Sequence, residues 1–381
     1  SRGSWISAAK QIESMMLPGE ANLGNAIGQM FESLQQVSTD PANMAGRTVA
    51  IERSKQVADN FVQVSTLLEE MMTGLNTQAT HLVDEVNILA VEVERINKQL
   101  ATGSQLKVNN SLLDARDLLI DKINEYVEVH TELDDRNLAK LTIGDTRNGP
   151  VLVSQTSLTR LGTSQTDNKL SLVLDPGVKN TVSNRITGGS LAGLSNAYQT
   201  AVEMMEELDG LAFALVRDVN ALHKRGLNVE GQAGGNFFQS ISHEIFPNGA
   251  NTGDASASVS VFNPDLVKIG KVTFSFDTEK ATWTGRSIDG TEVAKGTSKV
   301  SFNGVEILFS GTAKQFDQFI YDPTKDSAKG LQLAIRRPED IAAASSLMVS
   351  PNATNKGTAL IDALPVTPSN FSKPSDLKSI F

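Results

Sequence analysis

The chain has 381 residues, 40% of them hydrophobic and 20% charged, an ordinary composition for a folded protein that excludes wholesale disorder. It contains no cysteine, which excludes disulfides, thiolate metal sites and cysteine nucleophiles. The net charge of −10, without a basic patch, argues against a nucleic-acid partner, and no stretch approaches the roughly 20 apolar residues of a membrane span.

Helical periodicity dominates the first third of the chain. Leu23, Ile27, Phe31 and Leu34 recur every three or four residues and predict a first helix, which Pro41 ends. A much longer helix follows, because apolar residues then alternate steps of four and three with one extra four-residue step, as in a heptad seam with a stutter. The seam comprises Val57, Phe61, Val64, Leu68, Met71, Leu75, Ala79, Leu82, Val86, Leu89, Val93, Ile96 and Leu100.

We expect this seam to be buried inside a helical bundle rather than in a coiled coil between molecules. Leu82 and Leu89 are therefore predicted core positions, and Glu85 and Glu92 are predicted to face solvent.

Short strands and a second strong helix follow. A helix is predicted for residues 112–129, and a period of two predicts strands around 141–143, 151–153 and 170–174. Apolar residues from Leu191 to Leu222 then lie on one helical face that Gly226 ends.

From about Gly231 the pattern favours β structure. Residues 256–262, 271–276 and 304–311 are predicted strands, and helical composition returns at Pro338–Met348. The sequence therefore predicts an α+β, elongated multidomain protein, in which a long-helix bundle with a small β element carries an inserted antiparallel β domain. The predicted domains are 1–229 with 340–381 (β element about 130–186) and the insert 230–339, whose flanking helical stretches should pack together.

No catalytic, cofactor-binding or metal site is predicted. His81, His130, His223 and His243 lie far apart and form no paired ligand motif. The acidic pairs Asp134–Asp135 and Glu206–Glu207 are interpreted as solvated faces, and 322–330 lacks the alternating ligands of a calcium loop. Gly188–Gly189 and Gly234–Gly235 match no phosphate-binding fingerprint and are interpreted as turns.

Four segments carry a family resemblance. Asn22–Phe61, with a short helix, a proline break and an arginine at the start of a long helix, resembles the opening of the hook-associated protein 1 (FlgK) family. Asn109–Val129 resembles its Leu-Leu-Asp-x-Arg-Asp helix, matched at Leu112, Leu113, Asp114, Arg116 and Asp117. Gly234–Gln239 resembles the turn before its inserted domain, and Ile307–Ser345 resembles its late segment.

The resemblance implies a structural subunit of the bacterial flagellum that joins hook to filament and is not an enzyme. It implies the hook protein on one side and the second junction protein on the other, with no cofactor and no membrane partner. It implies an extracellular place in the flagellum, reached through the flagellar export channel. It further implies a core fragment, whose ring self-association and export chaperone would depend on the missing terminal segments, the C-terminal one for the chaperone.

Two alternatives stay open at this point. One is another axial flagellar component, such as a filament-type subunit or the second junction protein. The other is an enzyme, for instance a wall-cleaving hydrolase, which would need a convergent pair of acids in a cleft. An adhesin or antigen role for the β domain could be additional.

Overall fold

The computed structural model describes residues 23–102, 110–155, 157–166, 169–174, 180–181 and 188–345. By their contacts the described residues form two compact units, one of residues 67–205 and one of residues 23–66 with 206–345. None of the helices in this described part combines the length and the apolar character needed to span a bilayer. The predicted α+β class with antiparallel sheets is confirmed.

The predicted helices form, and the second is the longest element. The helices are α1 Leu23–Thr39, α2 Met44–Thr102, α3 Asn110–Tyr126 and α4 Gly189–His223. Helix α2 runs without interruption for 59 residues, so Gly74, which lies inside it, does not end it.

The buried faces of the helices differ in detail from the predicted faces. In α1 the buried residues are Leu23, Ala26, Met30, Ser33 and Val37, whereas Phe31 is 47% exposed. The prediction followed the largest side chains, but small residues at 26 and 33 continue the helical spacing and permit close packing. On α4, Leu222 is 68% exposed, because the helix ends one residue later.

The first unit packs its part of α2 and α4, together with α3, around two small antiparallel sheets. The sheets have the orders β1-β2-β3 and β4-β5-β6, with β1 Val129–Leu133, β2 Ala139–Ile143, β3 Val151–Val153, β4 Leu161–Thr166, β5 Lys169–Leu174 and β6 Asn180–Thr181. Their shared core contains Val83, Val86, Ala90 and Val93 of α2. The predicted core positions Leu82 and Leu89 are only partly buried and pack against this core. The neighbouring Val83 and Ala90 are buried instead, because they lie in the same cluster as the side chains of the two sheets.

The second unit carries a five-stranded antiparallel sheet, β12-β11-β10-β15-β8, and a three-stranded sheet, β13-β14-β9. The strands are β8 Ile245–Pro247, β9 Ser256–Val261, β10 Val272–Asp277, β11 Thr282–Ser287, β12 Glu292–Gly296, β13 Lys299–Phe302, β14 Val305–Ser310 and β15 Gln318–Tyr321. Side chains of both sheets share one core, in which Trp283 stacks on Phe309 with ring centroids 4.3 Å apart.

The predicted helix at Pro338–Met348 is wrong over its described part. Only Pro338–Asp340 forms a 3-10 turn, and β16 Ala344–Ser345 then pairs with β7 Gly226–Leu227. Pairing with the strand after α4 replaces the local hydrogen bonds that a helix would offer. Residues 346–348 lie outside the described residues. The predicted packing of two helical stretches across the insert is therefore not found in this form: the chain after the insert meets β7 as the strand β16.

Candidate functional site

The residues considered as candidate ligands do not come together. His81 is exposed on α2, and His130 lies in β1. His243 lies beside Tyr321, whose hydroxyl is 3.0 Å from its Nδ1, and burial lowers the pKa of His243. Within the described ranges, no three histidine or acidic side chains are arranged to hold a metal ion.

The acidic side chains considered above serve turns and surface pairs. Asp134 accepts hydrogen bonds from the backbone N–H groups of Arg136 and Leu138, at 2.9 and 2.8 Å. Glu206 forms an ion pair with Lys271 on the surface of the second unit. The Asp134 carboxylate therefore stabilises a turn, and the Glu206 carboxylate forms a surface ion pair.

In the first unit, two asparagines of α2 bind strand ends through both atoms of their amide. Asn97 donates from Nδ2 to the carbonyl of Ala139 (2.7 Å), and its Oδ1 accepts from the N–H of Ala139 (3.0 Å). Asn87 makes the same pair of bonds with Leu161, both of 2.9 Å. Each amide thus takes the place of a neighbouring strand at the start of β2 or β4.

Arg116, from the segment that resembles the Leu-Leu-Asp-x-Arg-Asp helix, has a structural contact. Its buried guanidinium donates through Nη1 to the carbonyl of Asn137, in the turn between β1 and β2. Its Nε and Nη2 both reach Oδ1 of Asp117, at 3.0 and 2.8 Å. The arginine and the aspartate that follows it therefore fix α3 to that turn.

In the second unit, the side-chain amide of Asn220 in α4 also binds backbone groups through both of its atoms, here in the chain that follows the helix. Its Oδ1 accepts from the N–H groups of Phe237 and Phe238, at 2.8 and 2.9 Å, and its Nδ2 donates to the carbonyl of Phe238 (3.0 Å). Asn220 and both phenylalanines are buried. Three hydrogen bonds from one side chain therefore fix the point where the chain enters the inserted β region.

His223, one turn further along α4, joins this entry to the chain that leaves the β region, residues 322–345 after β15, which we call the returning segment. Its Nε2 accepts from the N–H of Ala342 (2.8 Å), and its Nδ1 lies 2.8 Å from the carbonyl of Gly235. The first contact assigns the proton to Nδ1, so the ring is neutral and satisfied at both nitrogens. Burial lowers the pKa of His223 and opposes its protonation.

Close backbone packing accompanies these contacts. A Cβ on Gly234 would lie 2.1 Å from the carbonyl oxygen of His223, which no side chain tolerates. The glycine turn predicted here is therefore needed for the chain to pass over the end of α4.

Asp209 holds the far end of the returning segment. Its two carboxylate oxygens accept from the N–H groups of Asp326 (3.1 Å) and Ala328 (2.9 Å). Burial raises the pKa of Asp209 to about 6, although these two backbone N–H groups favour the charged form. The carboxyl group is therefore largely ionised at neutral pH.

Arg47, at the start of α2, binds the same returning segment. It donates from Nε to the carbonyl of Pro41 (2.6 Å) and from Nη1 to the carbonyls of Ile341 (2.7 Å) and Pro338 (3.1 Å). The side chain is fully buried, and its Nη2 has no partner among the described residues. Three backbone carbonyls offset part of the cost of burying this cation, and the Glu339 carboxylate also favours its charged form, although burial still lowers the pKa of Arg47.

These buried polar residues were not predicted from the sequence, although their spacing carries a signal. On α4, Asp209, Phe213, Val216, Asn220 and His223 are separated by steps of four and three, the spacing of a buried helix face. Polar residues at such positions indicate buried side chains that have found partners. Arg47 likewise extends the seam of α2 toward its N-terminus.

Comparison with known proteins decides the family. The model of the flagellar hook-associated protein FlgK helical domain matches residues 9–238, more than half of the chain. The chain belongs to the FlgK family.

Several relatives agree with this assignment. Flagellar hook-associated protein 1 of Escherichia coli K12 is 26% identical over 365 residues, which cover 92% of the chain and 66% of that protein. The Bacillus subtilis protein of the same name is 26% identical over 75% of the chain and 61% of its own length. The chain thus spans somewhat less than two thirds of these relatives.

A solved structure shows the same fold. The flagellar hook junction protein FlgK from Burkholderia pseudomallei superposes with a TM-score of 0.76 at 25% identity, covering 90% of the chain and 63% of that protein. The agreement includes β regions beyond the matched helical domain, since the covered share exceeds that domain.

Proposed function

We propose that the chain is a structural subunit of the bacterial flagellum that joins the hook to the filament. The observation that carries this proposal is the agreement in fold with a hook junction protein over 90% of the chain, together with its family membership. The alternative of another axial component is less well supported, because the family model matched is that of FlgK.

The way in which buried side chains are used supports a mechanical role without catalysis. The buried polar side chains described above bind backbone groups of neighbouring elements, and these structural contacts account for their burial. Such contacts hold helices and β regions in one arrangement, as a subunit under torque requires. We propose on these grounds that the chain catalyses no reaction and needs no cofactor, nucleic acid or membrane.

The proposed partners and location follow from the family. The hook protein would lie on one side and the second junction protein on the other, with further copies of the chain in a ring. The subunit would be exported through the flagellar channel, with a chaperone binding its secreted form, and would end up outside the cell in the flagellum.

Deletion of the encoding gene tests the junction role. Cells without it are expected to build hooks but to release filament protein into the medium, because nothing at the hook end starts filament polymerisation. Electron microscopy would count hooks and filaments, and immunoblotting would measure filament protein in the medium. The intact gene should restore filaments.

Matched variants sharpen the experiment. Asn220→Leu, which removes three buried hydrogen bonds, should restore fewer filaments than Asn196→Leu, a change at an exposed position of the same helix. Normal filaments in the deletion strain would refute the junction role.

A further inference from the structure

Phe316 is an exposed aromatic residue held in an unfavourable backbone conformation. Its side chain is 76% exposed, and its φ is +67°, in the left-handed region that bulky residues avoid. Among the described residues no side chain covers the ring, so the packing of this part of the chain does not explain it. Backbone strain at an exposed aromatic side chain suggests a role outside the fold.

The loop that carries Phe316 is rigidly held. The carboxylate of Asp317 is buried and accepts from the N–H groups of Thr252 and Lys314, both at 2.8 Å. The N–H of Phe316 itself donates to the carbonyl of Phe276 (3.1 Å). The aromatic ring is therefore presented by a preorganised loop, which lowers the entropic cost of binding.

An apolar cleft lies at the opposite end of the same sheet. It has a volume of about 280 Å³, and its apolar lining includes Ile269, Ile288, Val293, Phe302 and Tyr321. Ile288, in the turn between β11 and β12, is 94% exposed at the rim. A cavity of roughly 150 Å³ is large enough to bind benzene, so this cleft can admit a phenyl ring.

The register of strand β10 shows that Phe316 and the cleft lie at opposite ends of the sheet. In β10, Val272 lies opposite Tyr321 and Ser287 at the cleft, whereas Asp277, at the other end, follows the residue whose carbonyl binds Phe316. Six residues of β10 at about 3.3 Å per residue place the ends roughly 17 Å apart. The ring of Phe316 therefore cannot reach the cleft of its own domain.

The charges at the two ends are complementary. Lys314 lies two residues before Phe316, and Asp289 lines the cleft next to Ile288. The Asp289 carboxylate accepts hydrogen bonds from Ser287 and Thr291 within its own turn. Within the described part of the chain, neither Lys314 nor Asp289 forms an ion pair. A ring from one molecule seated in the cleft of the next would bring Lys314 of the first molecule toward Asp289 of the second. Complementary pairs of this kind set the orientation of a contact.

We propose that Phe316 inserts into the Ile269–Ile288 cleft of a second copy of the chain. The contact joins two different surfaces, so it propagates head to tail and closes into a ring when the rotation between copies permits. This inference rests on the proposed junction function, because a ring of identical copies keeps neighbouring chains at the high local concentration that so small a contact needs. By itself the contact is small, and free molecules form it only transiently.

Disulfide trapping tests the contact on the purified chain, which has no cysteine of its own. The variant Gln315→Cys with Ile288→Cys places one thiol beside the ring and one at the cleft rim, and oxidation accumulates transient encounters as covalent products. The expected product is a ladder of dimers, trimers and larger species on non-reducing gels. The two single-cysteine variants should stop at dimers.

The matched control keeps both thiols and removes the ring. Adding Phe316→Ala should slow the formation of trimers and larger species about tenfold, as expected for an aromatic hot spot. Circular dichroism would confirm that all variants are folded. An equal rate with and without Phe316, or no ladder at all, overturns the proposal.

A charge exchange gives a second measurement. Lys314→Glu or Asp289→Lys alone should slow trapping, and the two together should restore it, because each contact then regains an opposite pair. If the double variant forms disulfide-linked species more slowly than either single variant, the proposed insertion of Phe316 with Lys314 near Asp289 is wrong. The trapping results do not affect the outcome of the gene-deletion experiment. The proposed contact can therefore be refuted without refuting the junction role.

Discussion

Asparagine is used three times where a helix meets a β segment or the chain entering one. Asn87, Asn97 and Asn220 each need both a donor and an acceptor, because each faces the N–H and the carbonyl of extended backbone. Aspartate could only accept, and leucine of similar size could do neither. A hydrogen bond contributes about 1 kcal/mol net, whereas a buried backbone group left unpaired costs about 1–3 kcal/mol. Losing such an amide is therefore worse than its bonds alone suggest.

Replacing Asn220 by leucine is expected to lower the free energy of unfolding by about 3 kcal/mol or more, because three backbone groups at Phe237 and Phe238 lose their partner. Urea titration followed by circular dichroism would measure the change. Asn196→Leu, at an exposed position of the same helix, should change it by less than about 0.5 kcal/mol. Similar losses in both variants would show that the amide pairing of Asn220 is not what matters.

The neutral ring of His223 makes stability depend on pH. Burial lowers its folded pKa, while Asp340 and the contact with Gly235 act in the opposite direction with smaller effect. The unfolded chain takes up a proton near pH 6.5 that the folded chain does not. Stability from this residue is thus fully present above pH 6.5 and is lost as pH falls toward the folded pKa.

The variant His223→Gln isolates this effect. Glutamine can still accept from the N–H of Ala342 but does not titrate, so the difference in unfolding free energy between wild type and variant should shrink from pH 7.5 to 5. The raised pKa of Asp209, about 6, makes stability change with pH in the opposite direction. Because the wild type and the variant both contain Asp209, its contribution cancels in the difference. A difference that is constant over this range would contradict the neutral assignment of His223.

Among the elements, α2 shows what periodicity can predict. The alternation of three and four residues predicted its existence and most of its buried positions, since Val57, Phe61, Val64, Leu68, Val86 and Val93 are all buried. It could not predict that Val83 and Ala90 would be more deeply buried than Leu82 and Leu89. That depends on sheets β1-β2-β3 and β4-β5-β6, whose positions the local sequence does not encode.

The strands were predicted less completely, for a related reason. The predicted strands around 256–262, 271–276 and 304–311 alternate strongly and are confirmed. Strand β11 contains a glycine, and β12 has few apolar side chains. These two strands are stabilised by packing against their neighbours in the sheet, so their own sequences do not show a clear strand pattern. The helical spacing of α4 indicates that Asp209, Asn220 and His223 are buried, but their partners could not be predicted, because they lie from 12 to 119 residues away in sequence.

Helix α2 also provides a matched test of the core. Val86→Asp should lower the free energy of unfolding by about 3 kcal/mol or more, because it brings an unpaired charge into the core of the first unit. Val91→Asp makes the same chemical change at a side chain that is 40% exposed, and should cost less than about 1 kcal/mol. Thermal unfolding of both variants would measure the difference. Equal effects would mean that the buried face of α2 is misassigned.

At the scale of the whole molecule, the β region enters and leaves through a narrow neck. The N–H of Gln239 donates to the carbonyl of Gln332 (2.8 Å), and the N–H of Ala334 donates to the carbonyl of Phe237 (2.9 Å). Phe238 and Leu333 form an antiparallel bridge between them. Arg47, Asn220 and His223 all bind backbone on the helical side of this neck. The predicted insert of 230–339 stays a prediction, and these contacts favour tighter limits near 240 and 331.

Removing residues 240–331 tests that organisation. Gln239 and Gln332 would be joined by an Asn-Gly turn, which suits a two-residue antiparallel connection, and Phe213→Ser would make the uncovered surface polar. The shortened chain is expected to keep its helical circular dichroism and to unfold cooperatively, because the contacts of Arg47, Asn220 and His223 remain. Residues 240–331 expressed alone should keep the fluorescence of a buried tryptophan, since Trp283 lies in a core made almost entirely of their own side chains. Loss of cooperative unfolding in the shortened chain, with Trp283 exposed in the isolated region, would mean that the neck is no domain boundary and that both parts fold only together.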